Sequence, residues 1–100
     1  MKVIFLDCAN LDFESNGEKI KGTSIKYIEH VPPKKDKPST YVPGKQWIKP
    51  ECTELVNIVN SLTPGELIEL QYDLDGKKVI FSGIEPTGEL VVDFDKIFSN

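Results

Sequence analysis

The feature that most constrains this chain is an alternation. From Ile68 to Asp75, apolar Ile68, Leu70, Tyr72 and Leu74 take turns with polar Glu69, Gln71, Asp73 and Asp75. A period of two belongs to a half-buried strand, with one face packed and the other wet. Asp75-Gly76 follows at once, and that pair accepts the positive φ of a tight hairpin turn. The run therefore predicts a strand that doubles back, with Lys77–Ile84 as its return. Glu85-Pro86-Thr87-Gly88 predicts another turn. Glu89–Asp95 predicts a last strand, pointing Leu90, Val92 and Phe94 inward.

The first third of the chain carries the same signal. Val3, Phe5, Ala9, Leu11 and Phe13 share one parity, with Asp7 as the exception. Ile4, Leu6 and Cys8 make the early part apolar on both faces, as for a strand crossing a closed core. Asn16-Gly17 then predicts a hairpin turn into a second strand at about Lys19–Val31. A parity change beside Gly22 predicts a bulge there. Four prolines between Pro32 and Pro43 exclude a central strand and predict a long Lys/Pro-rich loop at about 32–45. Trp47-Ile48 reads as a short third strand. Apolar residues at 55, 56, 58, 59 and 62 fit one face of a helix over Glu54–Leu62, with Pro50 placed to open it. The whole is one domain, residues 1–100, mainly β with one short helix. Strand, strand, loop, strand, helix and hairpin is the order of a small OB-like barrel of five to six strands.

Charge narrows the function. Twelve lysines and no arginine face sixteen acids, a net of −4. The sum hides a segregation: residues 1–17 carry −2, residues 18–49 carry +5 and residues 50–100 carry −7. An anionic partner should meet the middle segment, because charges beyond about 8 Å are screened. No apolar run reaches the roughly 18 residues of a membrane span, so no membrane partner is expected. Two cysteines, Cys8 and Cys52, lack the spacing of a zinc site or a disulfide scaffold, which points to a reducing cytoplasm. Asp73-Leu74-Asp75-Gly76 begins like a calcium loop, but its twelfth position is Ile84 rather than a glutamate. With one histidine, His30, and no phosphate-loop or dinucleotide fingerprint, neither an enzyme nor a cofactor nor a metal is expected.

The basic segment also carries rings. Lysines that follow phosphates, with exposed aromatics that stack on bases, are the means of binding single-stranded nucleic acid. Lys19, Lys21, Lys26, Tyr27, Lys34, Lys35, Lys37, Tyr41, Lys45, Trp47 and Lys49 are the candidate binding residues. Tyr27 and Trp47 have apolar neighbours at core spacing, whereas Tyr41 sits between Thr40 and Val42 in the proline segment. From Leu62-Thr63-Pro64-Gly65-Glu66-Leu67 through Ile84-Glu85-Pro86, the chain resembles small single-stranded DNA-binding proteins of filamentous phages and other mobile elements. There too a Pro-Gly turn leads into a strand, a glycine-bearing turn and a strand closing on proline. The resemblance implies an OB fold, a cooperative dimer and sequence-independent binding of displaced DNA during replication or transfer. The chain departs from that pattern in lacking arginine and in its acidic second half. Asp93-Phe94-Asp95-Lys96-Ile97-Phe98 is loosely similar to the partner-recruiting tips of bacterial single-strand binding proteins. The alternative expectation is a protein-interaction module, using Asp73, Asp75, Glu89, Asp93 and Asp95 or an exposed sheet edge.

Overall fold

The computed structural model describes residues 1–98. Among them run β1 (Lys2–Ser15), β2 (Glu18–Val31), β3 (Thr40–Ile48), α1 (Thr53–Asn60), β4 (Glu66–Asp75), β5 (Lys78–Leu90) and α2 (Phe94–Phe98). The protein is mainly β. Its five strands form one antiparallel sheet in the order β3-β2-β1-β4-β5. With α1 between β3 and β4, this is the layout of a small OB-like barrel left open, β3 and β5 being its two edges.

Turn chemistry sets the hairpins. Asn16 and Gly17 take φ values of 54° and 81°, the pair of positive angles that matches the twist of the flanking strands. Between β4 and β5, Gly76 alone takes a positive φ, 64°, at the first of the two turn positions. The core lies on the inner face, where Val3, Phe5, Ile25, Tyr27, Ile48, Ile68, Leu70 and Ile84 are buried, with Val59 of α1 inserted among them. Thr23 is the buried polar residue. Its hydroxyl donates to Asn10 Oδ1 at 2.9 Å, and Asn10 Nδ2 donates to Asn60 Oδ1 at 3.2 Å, tying α1 to the β1–β2 hairpin.

Several expectations are corrected. The long loop at 32–45 is shorter, because β3 begins at Thr40 and accommodates Pro43 by lying at the sheet edge, where no partner needs its missing N–H. Glu85–Gly88 does not end the strand, because β5 continues to Leu90. The expected irregularity is there as a bulge: Thr87, Gly88 and Glu89 stand against Leu67 alone, with Gly88 at φ 75°. No sixth strand exists among the described residues, and Phe94–Phe98 is a short helix instead. Gly22 holds its place in the β1–β2 register. The shift falls between Phe5 and Asp7, where Leu6 is extra. That bulge reverses the parity of β1, so Ala9, Leu11 and Phe13 face away from the core that Val3 and Phe5 enter.

Candidate nucleic-acid interface

The register of β2 with β3 builds the candidate surface. Thr23, Ile25 and Tyr27 face inward, so their β3 partners Ile48, Gln46 and Gly44 do too. The intervening residues of β3, Tyr41, Pro43, Lys45 and Trp47, therefore line the outer face in a row. At about 3.3 Å per residue, the two rings stand roughly 20 Å apart. His30, Ile28, Lys26 and Ser24 lie beside them on β2.

Tyr41 is the most open ring of the row. It is 66% exposed and leans on His30, with ring centroids 5.1 Å apart and planes at 37°. Trp47 is 40% exposed, its indole lying across the backbone of Gly22, where any side chain would collide with it. Between the rings, a shallow groove of about 390 Å³ is bordered by Leu6, Lys26, Pro43 and Lys45. Just beyond Tyr41, the β2–β3 connection folds into a tight turn. Lys34 N–H donates to Lys37 O and Lys37 N–H to Lys34 O, both at 3.0 Å, so exposed Lys34, Lys35 and Lys37 crowd a tip with only Asp36 to offset them.

Other members of the expected set lie elsewhere. Tyr27 is buried at 9% exposure, its ring over Gly44, and so presents no face to a base. Lys19 and Lys21 fall on the same side of the sheet as Thr23 and Ile25, opposite to the row on β3, and each stands across from an acid, Glu14 and Asp12. Lys26 is on the outer face, between Asp7 on one side and Lys45 on the other. Lys49 follows β3 and borders the gap toward β5. What converges is Lys26, Lys34, Lys35, Lys37, Tyr41, Lys45 and Trp47. His30, Ile28 and Pro43 join them without any signal in the sequence, because cross-strand neighbours are set by register.

The acidic set does not converge. Asp73 and Asp75 sit at the β4–β5 turn with Lys77 and Lys78, whereas Glu89 lies at the far end of the β4–β5 ladder, roughly 30 Å away at about 3.3 Å per residue of β4. No group of three or more His, Cys, Asp or Glu able to hold a metal occurs among the described residues. Burial, and then the neighbouring Asp7 carboxylate, push the Cys8 thiol above its ordinary pKa, which suppresses the thiolate a nucleophile needs. Among the described residues no helix is long and apolar enough to cross a membrane. Searched against family models, curated proteins and solved structures, the chain finds no match in any of them.

Proposed function

We propose that this protein binds single-stranded nucleic acid, DNA in the first instance, without sequence preference and without catalysis. The observation that carries the reading is the row Tyr41, Pro43, Lys45 and Trp47 on one face of β3, continued by the lysine tip at 34–37. Rings in such a row accept the π-face of any base, and the lysines between and beyond them neutralise phosphates, so affinity needs no base-edge contacts. A duplex hides the base faces that Tyr41 and Trp47 would stack on, which favours single strands. Replication or transfer of a mobile element, the setting implied by the resemblance, belongs to the same proposal.

Fluorescence polarisation with labelled oligo-dT tests it. Binding is expected at micromolar protein and about 50 mM salt, weakening steeply as salt is raised. No binding under those conditions overturns the reading.

A further inference from the structure

The two edges of the open sheet are guarded unequally. On β3, Pro43 has no N–H to offer and Lys45 places a charge at mid-strand, both of which discourage pairing with another chain. From Val79 to Ile84, β5 has neither proline nor charge, and Val79 and Ile80 are 66% and 45% exposed. Its straight portion ends at Ser82, which is skipped in the register with β4. Between the edges lies a cleft of about 440 Å³, into which Gln46 and Lys49 project from one side, Cys52 and Leu55 from the start of α1, and Val79 and Phe81 from β5.

We infer that this cleft docks an extended segment of a partner protein, which adds to the free edge of β5 as a further strand. An unpaired row of backbone N–H and C=O groups is complementary to another peptide backbone, and a sugar-phosphate chain cannot supply that ladder. The apolar wall of Leu55, Val79 and Phe81 takes every second side chain of the incoming strand. Charge sets one flank: Lys49 is the charged residue that borders the cleft, whereas Lys78, where β5 begins, is already paired across from Asp75. The partner segment is therefore short, extended, apolar at alternate positions and acidic at the end that passes Lys49. The cleft shares Trp47 with the outer face of β3, but the ladder it offers is the edge of β5, so loss of peptide binding and loss of oligo-dT binding are read separately.

The test uses the intact protein and a fluorescent peptide of about eight residues, alternating valine and threonine with glutamate at each end. Two companions are needed, one with lysine at each end and one N-methylated at alternate amides. The glutamate peptide is expected to bind at least about tenfold more tightly than the lysine peptide. N-methylation should abolish binding without altering the protein, because it removes only the ladder. Backbone amide resonances of Val79, Ile80 and Phe81 should shift, and saturating oligo-dT should leave the peptide bound. The inference is overturned if the N-methylated peptide binds as well as its parent, or if no peptide binds at about 100 µM. It is equally overturned if the Val79 and Phe81 amides of the free protein, which point away from β4, already resist hydrogen exchange, through closure onto β3 or pairing with a second copy.

Discussion

Two tyrosines on neighbouring strands separate packing from recognition. Tyr27 fills the space opposite Gly44, where a Cβ would sit 2.5 Å from its ring. Tyr27→Ala is expected to cost about 3–5 kcal/mol by leaving a cavity, and Gly44→Ala about 1–3 kcal/mol by forcing the ring aside. Both are read as lower midpoints in urea denaturation. Tyr41 stands on the solvent side of β3, its ring leaning on that of His30. Tyr41→Ala should leave the midpoint unchanged and weaken oligo-dT binding by about 1–3 kcal/mol, roughly five- to 150-fold. A large fall in stability instead would show that the ring holds the sheet together. The sequence makes Tyr41 legible as exposed, from its polar and proline neighbours. It cannot distinguish Tyr27, because a ring buried over a glycine depends on which residue of a distant strand lies opposite.

At the level of elements, strand content and hairpin turns are legible in the sequence, and phase is not. Asp7 interrupts the alternation of β1, and in the fold the interruption marks the bulge at Leu6 that reverses every later side chain. The cleanest alternation of all, Ile68 to Asp75, is true to its faces and still misleads about burial. Ile68 and Leu70 are buried, but Tyr72 and Leu74 are 37% and 78% exposed because the hairpin extends beyond the core they would pack on. Tyr72 instead reaches across to donate to Gln46 Oε1 at 3.0 Å. Burial, followed by the nearby Tyr27, holds its phenol above the ordinary pKa. Leu70→Ala should therefore cost about 2–5 kcal/mol, whereas Leu74→Thr, of the same parity four residues on, should change stability by less than about 0.5 kcal/mol. Equal losses from the two would mean that the tip is covered in solution.

The molecule as a whole is more spread than its length requires. Its radius of gyration is 15.6 Å, against about 13 Å for a compact chain of this size, and it measures 45 × 44 × 27 Å. The excess lies in hairpins that outrun the core, and those same hairpins decide what the net charge means. By sequence segment, a basic middle stands apart from acidic ends. Antiparallel pairing undoes much of that separation by laying Glu14, Asp12 and Asp7 of β1 directly across from Lys19, Lys21 and Lys26 of β2. Opposite charges at paired positions interact locally and leave less field for a distant phosphate. Of the eight lysines between residues 18 and 49, five have no acid across from them in the sheet: Lys34, Lys35 and Lys37 of the tip, Lys45 on β3, and Lys49. Lys49 lies past the end of β3 at the cleft toward β5, which leaves four on the binding face. The salt dependence of oligo-dT binding counts them. Four phosphate contacts at a slope of about −0.7 each give roughly a fifty-fold loss between about 50 and 200 mM salt. Engagement of all eight lysines between residues 18 and 49 would give a slope near −5.6 and a loss of roughly two-thousandfold. A slope near −3, reduced by about 0.7 in Lys45→Gln and unchanged in Lys19→Gln, is the outcome expected if register rather than composition determines the binding surface.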